Sequence, residues 1–309
     1  MFIIKHKKIF IGVSLGLVIL SVVAMIIFGF NVGIDFKGGA LTEVVYKTER
    51  PAQESLNKPL EALDFGTVLL QPTGELGYIV KTRDLTDPEH AKLLETLSLD
   101  RSTTTGEAAA DPDSLTELSF NSIGPSVGRE LTRKAILAII LISLAIICFI
   151  AFAFRKVSKP VSSWRYGLIA VVTLLHDVII PVGIFTILSH YFGAEVDALF
   201  VVAILTILGL SVSDTIVIFD RIRENLRNEV NIAKTDFSQV VGRSLSQSFV
   251  RSICTSLTVI LVLLALFFFG PETTKYFALM LTAGMFFGTY SSIFLASPLL
   301  VLSEEMQKK

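Results

Sequence analysis

The chain has 309 residues, of which 52% are hydrophobic and 18% are charged, and its formal net charge at pH 7 is −1. Soluble globular domains are usually less apolar and carry about a quarter charged residues. The balanced charge argues against nucleic acid as a partner, because nucleic-acid-binding proteins present a basic surface. The composition therefore favours an integral membrane protein in a lipid bilayer.

Six apolar stretches are long enough to cross a bilayer, which takes about 20 helical residues. We predict transmembrane helices over residues 9–28, 135–154, 168–188, 198–219, 249–269 and 276–302. A basic run at residues 5–8 precedes the first stretch, as in a signal peptide. No small-residue cleavage site follows it, so we expect this helix to be retained.

Lys and Arg are concentrated in alternate loops. The N-terminus, the loops after the second and fourth helices and the C-terminal tail are basic, whereas residues 189–197 contain no Lys or Arg. Because basic loops stay on the cytoplasmic side, we expect both termini in the cytoplasm. The chain then divides into residues 1–29 with the first helix, an external domain over 30–134, and residues 135–309 with the other five helices.

The external segment has its own pattern of short elements. Strands are predicted over 41–47, 67–71, 78–82 and 115–123, and helices over 51–63 and 87–97. Residues 72–74 are predicted to form a turn, and residues 102–113, rich in small and polar side chains, a loop. The order βαββαβ predicts an α+β ferredoxin-like sandwich.

Four charged or titratable residues lie inside the apolar stretches. Asp214 is roughly 7 Å from the cytoplasmic end of the fourth helix, and Arg251 lies in the first turn of the fifth. A lone charge in a bilayer is costly, so we expect these two residues to pair. His176 and Asp177 lie deeper, in the third helix, and adjacent helical residues point about 100° apart. We therefore expect them not to face one partner together.

These residues predict a proton relay, because a carboxylate changes its preference for a proton when a nearby arginine moves. A static buried pair is the alternative, although such pairs add little net stability. An intramembrane aspartyl protease using Asp177 and Asp214 is disfavoured, because "SVSD" lacks the glycines of a G-x-G-D motif. Hydroxyl residues able to hold water surround the charges: Ser211, Ser213, Thr215, Ser252, Thr255 and Ser256.

No metal-ligand cluster or nucleophile motif is evident, so we expect no enzymatic activity and no cofactor other than protons. Cys148 and Cys254 lie in apolar stretches without a Cys or His neighbour, and we expect both to be small buried hydrophobes.

Glycines recur at helix-packing spacing in two of the predicted membrane helices. Gly284 and Gly288 form a G-x-x-x-G pattern in the sixth helix, and Gly12 and Gly16 form another in the first. Small residues at this spacing let helices approach closely, so we expect them to pack against neighbouring helices.

Several motifs, taken in order, resemble the SecF family of bacterial preprotein-export subunits. They are "GIDFKGG" at 33–39, "GPSVGREL" at 124–131, "HDV" at 176–178, "SDTIVIFDRIREN" at 213–225 and "GTYSSIFLASPLL" at 288–300. The resemblance covers nearly the whole chain. One departure is Ser213, where many relatives have Asn before the aspartate.

The resemblance implies a partner, SecD, and a place in the RND superfamily and the bacterial inner membrane. It implies that proton-motive force is used to help the SecYEG channel complete preprotein export, with Asp214 and Arg251 at the family's proton-handling positions. The first two motifs would join the external domain to its helices through Gly33, Asp35, Gly38, Gly39, Gly124, Pro125 and Gly128. An RND-type exporter of small molecules or lipids and an inert scaffold for SecD remain alternatives.

Overall fold

A computed structural model of the chain describes residues 2–100, 109–110, 114–153, 161–229 and 236–308. The chain separates into two compact units, one formed by Met1–Asn31 and Ile136–Lys309 and the other by Val32–Ala135. Within the described residues, six helices are long and apolar enough to cross a membrane. The chain is thus a polytopic helical membrane protein that also carries a small antiparallel sheet.

The larger unit begins with a short helix, α1 (Phe2–Lys5), and the first long helix, α2 (Lys7–Phe28). α2 ends at Gly29, where φ is 65°, a left-handed value that glycine adopts without strain. The chain that leaves α2 is then fixed by two hydrogen bonds of Asn31. Its carbonyl accepts from the Val196 N–H at 2.7 Å, and its N–H donates to Ser189 Oγ at 3.3 Å.

The smaller unit contains a four-stranded sheet and two helices that share one hydrophobic core. Its elements are α3 (Ile34–Lys37), β1 (Gly39–Tyr46), α4 (Gln53–Glu61), β2 (Leu69–Thr73), β3 (Gly77–Thr82), α5 (Asp87–Leu97), β4 (Leu99–Asp100), β5 (Ala109–Ala110) and β6 (Leu115–Ile123). The sheet order is β2-β3-β1-β6, and every neighbouring pair is antiparallel. Val44 and Val80 from the sheet pack with Leu60 and Leu93 from the helices.

Two local predictions for this unit are corrected. Pro72 lies within β2 rather than in a turn, and the turn follows at residues 74–76. β2 is an edge strand, where a proline is tolerated because its missing N–H removes no ladder bond. Ala109–Ala110, predicted as loop, pairs with Leu99–Asp100. The other residues of the predicted loop over 102–113 lie outside the described part of the chain.

The rest of the chain is a series of long helices, the first of which begins in the smaller unit and continues into the larger one. They are α6 (Pro125–Ala153), α7 (Ser163–Phe192), α8 (Ala198–Arg227), α9 (Phe237–Phe269), α10 (Lys275–Ser291), a π-helical turn (Ser292–Ala296) and α11 (Ser297–Lys308). Several continue beyond the predicted apolar stretches, and α9 begins well before residue 249. Asp236 caps it by accepting a bond from the Ser238 N–H at 3.1 Å. Hydrogen bonding and capping, which hydropathy does not report, set such ends.

Exposure differs sharply between these helices. We compare an apolar 18-residue segment of each membrane helix by the share of it that is buried. This share is 6% for α6 and 17% for α9, against 67% for the last membrane helix. Cys148 and Cys254 lie on α6 and α9 and are both exposed, so the prediction that they are buried is wrong. In a bilayer an apolar side chain gains the same surroundings from lipid tails as from a protein core.

Helix α10 approaches α8 closely at its two spaced glycines. A Cβ on Gly284 would lie 2.5 Å from Ile207 Cδ1, and a Cβ on Gly288 would lie 3.3 Å from Ser211 Cβ. The absence of side chains at these two positions therefore lets the backbones of α10 and α8 come together beside Ser211.

The glycines of α2 behave differently. No heavy atom of the described residues lies within 4 Å of where a Cβ on Gly12 or Gly16 would be. α2 instead approaches α7 at Ser21, whose Cα would lie 2.6 Å from a Cβ on Gly183. The expectation that Gly12 and Gly16 mark the contact of this helix is therefore wrong within this chain.

Candidate functional site

Polar side chains are buried together where α7, α8, α9 and α10 pack. We call this set the polar cluster: His176, Asp177, Ser211, Asp214, Thr215, Ser252, Ser256, Thr289, Tyr290, Ser291 and Ser292. Polar groups inside membrane helices are unfavourable unless they are bonded, and those that persist are usually functional. The described residues contain no group of three His, Cys, Asp or Glu side chains arranged to hold a metal ion.

Asp177 on α7 is the centre of the polar cluster and has no exposed surface. The Ser291 hydroxyl on α10 donates to its Oδ2 at 2.7 Å, and the Ser211 hydroxyl on α8 donates to the same oxygen. His176 Nδ1 lies 2.8 Å from Oδ1. One carboxyl group therefore joins three helices, and its state of protonation affects all of their contacts.

His176 and Asp177 contact one another directly, a contact that the sequence analysis does not predict, and no third described residue bonds both of them. A bond between an imidazole and a carboxyl holds a proton that either group is able to carry. The opposite ring nitrogen of His176, Nε2, is buried without a hydrogen-bond partner among the described residues, as is the Tyr290 hydroxyl. The two rings are nearly parallel, with centroids 6.3 Å apart.

Asp214 lies one turn after Ser211 on α8 and is half-buried. Among the described residues, its Oδ2 and the Ser252 hydroxyl of α9 are both buried without a hydrogen bond of normal geometry, although Ser252 is close enough to act on Asp214 as a donor. Asp177 is close enough to act on Asp214 electrostatically. A buried carboxylate oxygen without a bond is unfavourable, and such groups occur where a site changes its state.

The predicted ion pair between Asp214 and Arg251 is not formed. Arg251 is exposed, and none of the ion pairs between described residues joins it to Asp214. Its guanidinium still acts on Asp214 electrostatically at a longer distance. The structure therefore holds the two charges near each other but apart.

The register of α8 against α9 explains this separation. Arg221 Nε donates to Gln247 Oε1 at 2.9 Å, which sets these two residues opposite each other on antiparallel helices. Continuing that register, Arg251 lies about one helical turn from the position that faces Asp214. Side chains also lean towards the N-terminus of their own helix, so the two tips diverge.

Two further hydroxyl bonds join the helices around this point. Thr215 on α8 bonds Ser292 at 2.8 Å, and Ser256 on α9 bonds Thr289 on α10. Ser292 begins the π-helical turn, which contains an extra residue per turn and re-aims the side chains that follow. Sequence reasoning missed Thr289, Ser291 and Ser292, although consecutive hydroxyls in "TYSS" interrupt an otherwise apolar helix.

The first two of the sequence motifs, at residues 33–39 and 124–131, pack directly on each other in the smaller unit. A Cβ on Gly38 would lie 2.9 Å from Pro125 Cα, and a Cβ on Gly128 would lie 2.9 Å from the Phe36 carbonyl oxygen. Gly38 also has a φ of 82°, which few other residues adopt. These glycines therefore permit a close backbone contact between the start and the end of the unit.

The other predicted junction residues have separate positions. Gly33 precedes α3, and Asp35 lies in its first turn. Gly39 begins β1 with a φ of 144°, and a Cβ there would lie 2.8 Å from the Thr82 carbonyl oxygen. Gly124 has open space around it, with no described heavy atom within 4 Å of where its Cβ would be.

Comparison with protein families gives one clear match. The family described as "Protein export membrane protein SecD/SecF, C-terminal" matches residues 103–306. The protein translocase subunit SecF of Thermobaculum terrenum is 42% identical over 312 residues, which cover 97% of this chain and 92% of that protein. The subunit of the same name from Haemophilus influenzae is 33% identical over 298 residues. This aligned region covers 94% of this chain and 82% of that protein.

Solved structures give a consistent result. The crystal structure of SecDF from Thermus thermophilus superposes with a TM-score of 0.78 at 30% identity, covering 99% of this chain. A structure of SecDF in its super-membrane-facing form gives a TM-score of 0.65 at 29% identity. This chain spans only 38% and 39% of the lengths of those two solved chains.

Proposed function

The chain belongs to the SecD/SecF family of protein export membrane proteins, and we propose that it couples proton movement across the membrane to late steps of preprotein export. Family membership carries the general role in Sec-pathway protein transport. The coupling rests on one observation: a fully buried carboxyl, Asp177, is bonded from three helices beside the unpartnered oxygen of Asp214.

The first step of the proposal is proton uptake by Asp214, whose unpartnered oxygen lies beside the Ser252 hydroxyl. A proton there removes a charge that the bilayer disfavours and weakens the attraction of Arg251. It also removes the repulsion between Asp214 and Asp177. The carboxyl of Asp214 thus alternates between two states with different neighbours.

The second step transmits this change to helix positions through Asp177. Hydroxyl bonds to a charged carboxylate are roughly twice as strong as bonds to a neutral one. A proton passed between Asp177 and His176 therefore loosens or tightens the bonds to Ser211 and Ser291, which hold α8 and α10 against α7. Movement of one charge across 100 mV supplies about 2.3 kcal/mol, enough to bias such a rearrangement.

The proposed partner is SecD, because the solved SecDF chains that this chain resembles contain a large additional portion. SecYEG and the emerging preprotein are proposed as further partners. The proposed location is the bacterial inner membrane, with both termini in the cytoplasm, which the distribution of Lys and Arg supports. In this proposal the chain is a transport subunit without catalytic activity of its own, and protons are the coupling ion.

The external unit is proposed to be ferredoxin-like and to contact the exported chain. The order of its two main helices and four paired strands, and the sheet order β2-β3-β1-β6, support this topology. The packed junction at Gly38 and Gly128 supports a stiff connection within the unit between its first and last segments.

The test is preprotein release from membrane vesicles that contain this chain, SecD and the SecYEG channel, with and without an imposed proton gradient. We compare wild type with Asp214→Asn, which keeps the size but does not titrate. Asp220→Asn is the matched control, because Asp220 lies on the same helix with its side chain 61% exposed. The gradient should accelerate release in wild type and in the control only. A full response by Asp214→Asn would contradict the proposal and favour an inert scaffold.

A further inference from the structure

A set of hydrogen bonds joins the last turns of α8 to the first turns of α9. Asn225 Nδ2 donates to Ser244 Oγ and to Gln247 Oε1, both at 2.8 Å, and Arg221 Nε donates to Gln247 Oε1 at 2.9 Å. We call these four residues the polar clamp. Asn225 is 8% exposed and Ser244 is fully buried, so water competes little for the bond between them. Gln247 lies at the exposed edge of the polar clamp, where its bond to Asn225 is partly buried and its bond to Arg221 is exposed.

The bonds of Gln247 define the position of α9 along α8. Its Oε1 accepts from Arg221 and Asn225, which lie one turn apart on α8. Two donors on successive turns that converge on one acceptor fix both sliding and rotation of the facing helix. An exposed ion pair between Arg243 and Glu229, at 2.5 Å, lies near the same end and adds little by comparison.

Gln247 and Arg251 are four residues apart on α9 and therefore lie on one face of the helix, one above the other. A helix held at Gln247 consequently has a fixed position at Arg251. In this register Arg251 is about one turn from the position facing Asp214. The polar clamp is thus the nearest set of bonds that determines how far the guanidinium lies from the carboxylate.

We propose that the polar clamp is a positioning device that holds Arg251 apart from Asp214, with Gln247 as its key residue. The inference rests on the proposed function, because it assigns a role to the distance between two groups of that site. Asp177 of α7 and Arg251 of α9 are the charged groups that act on Asp214, and the uncharged Ser252 hydroxyl of α9 acts on it as well. Of these two charged groups, only Arg251 lies on α9, so only its distance from Asp214 changes when α9 moves along α8.

The first test is the pH profile of gradient-driven preprotein release in vesicles with SecD and the channel. Gln247→Met removes the acceptor but keeps the chain length, and Gln247→Glu keeps an acceptor. Gln239→Met is the matched control, because Gln239 is an exposed glutamine on the same helix. We expect Gln247→Met to move the pH midpoint by about 0.5 to 1 unit, since a nearby cation shifts a carboxylate by about 1 to 3 units. Gln239→Met should keep the wild-type midpoint, and Gln247→Glu, which keeps the acceptor but adds a charge one turn from Arg251, should keep the wild-type position of α9.

A loss of release in Gln247→Met that is equal with and without the gradient, at an unchanged midpoint, would mean a merely structural role and would overturn the inference. A wild-type protein that ignores the gradient would instead overturn the proposed function. A second measurement separates the two failures. Spin labels at Ser213→Cys and Val250→Cys, in a chain with Cys148 and Cys254 replaced by Ser, report the position of α9 against α8 directly. Their distance should change in Gln247→Met and stay constant in Gln239→Met, and an unchanged distance in both rejects the clamp.

Discussion

At the scale of single residues, the bonds to Asp177 explain how a carboxyl group is kept inside four apolar helices. It has no exposed surface, and hydroxyls from two other helices and the adjacent imidazole contact its oxygens. Each of these groups replaces a contact that water would make outside the membrane. The arrangement leaves Asp214, one turn along α8 from Ser211, with an oxygen that no described residue satisfies.

Removal of one hydroxyl from Asp177 should weaken the fold measurably. We expect Ser211→Ala to lower the free energy of unfolding by about 1 to 3 kcal/mol, because it leaves a buried carboxyl with one bond fewer. Ser213→Ala is the matched control, since Ser213 lies two residues away on the same helix and is exposed. Denaturant unfolding of both variants in detergent provides the measurement. Equal stability of the two variants would contradict the described bond.

The residues of the site differ in how far sequence alone could predict them. Asp177, His176 and Asp214 are visible because charged or titratable groups are rare in apolar helices. Ser291 and Ser292 are not, because small hydroxyl residues are common in membrane helices and carry no signal of direction. The predicted contact of Asp214 with Arg251 fails because similar depth in the membrane does not fix register or the lean of a side chain.

At the scale of whole elements, glycine spacing alone does not identify a helix contact. Gly284 and Gly288 face α8, whereas the equally spaced Gly12 and Gly16 face no described atom. The distinction depends on which face of a helix meets a neighbour, and the pattern G-x-x-x-G does not encode that. The observed contact of α2, between Ser21 and Gly183, lacks a spaced glycine on α2 altogether.

This difference gives opposite expectations for two similar substitutions. Gly284→Ala places a Cβ 2.5 Å from Ile207 Cδ1. Overpacking of this kind should lower the free energy of unfolding by about 1 to 3 kcal/mol. Gly12→Ala adds a Cβ in open space and should be neutral or stabilising by up to about 1 kcal/mol, because alanine favours the helix. Parallel unfolding curves in detergent decide between the two, and a loss of stability in Gly12→Ala alone would contradict the packing.

The start of α5 carries a pH-dependent bond network outside the membrane-spanning helices. Arg83 Nη2 contacts Glu89 Oε1 at 2.5 Å, and the N–H and hydroxyl of Thr86 donate to Glu89 Oε2 at 2.9 and 2.8 Å. The Arg83 bond, followed by the two Thr86 bonds, lowers the pKa of Glu89 to about 2. A depressed folded-state pKa adds stability above the unfolded value and loses it as pH falls through the folded value.

Wild type should therefore lose the stability contributed by Glu89 as pH falls from about 4.5 to about 2. We expect Glu89→Gln to be less stable than wild type at neutral pH and the difference to disappear across that window. Glu95→Gln, on the same helix, controls for the general effect of removing a charge. Hydrogen exchange of the α5 amides in the full chain, measured along a pH series, follows the difference. A gap between wild type and Glu89→Gln that is constant with pH would contradict it.

The boundaries of some helices and strands could be predicted from the sequence pattern, and those of others could not. Strand β6 and helix α5 begin and end at the residues that the sequence predicts, 115–123 and 87–97, and the structure adds a Thr86–Glu89 capping box at the start of α5. The helices of the larger unit extend past their apolar stretches, because backbone hydrogen bonding continues where hydropathy ends. The π-helical turn after Ser291 has no signature in hydrophobic periodicity, although it directs Ser292 to Thr215.

At the scale of the whole molecule, the number of membrane helices follows from hydropathy because lipid admits only spans with satisfied backbone groups. The Lys and Arg distribution predicts the orientation, with both termini in the cytoplasm. Labelling with a membrane-impermeant thiol reagent in intact cells tests it, in a chain without its native cysteines. Thr73→Cys should react directly and Gln307→Cys only after permeabilisation. The reverse result would contradict the orientation.

In the proposed function, protons cross at Asp214 and Asp177 while a preprotein is exported. The most direct measurement is proton flux, read by a pH-sensitive dye trapped in vesicles that contain this chain, SecD and the channel, recorded together with preprotein release. We predict that flux rises in step with release in wild type and Asp220→Asn and is absent in Asp214→Asn. Equal flux in wild type and Asp214→Asn, at equal release, would contradict the account.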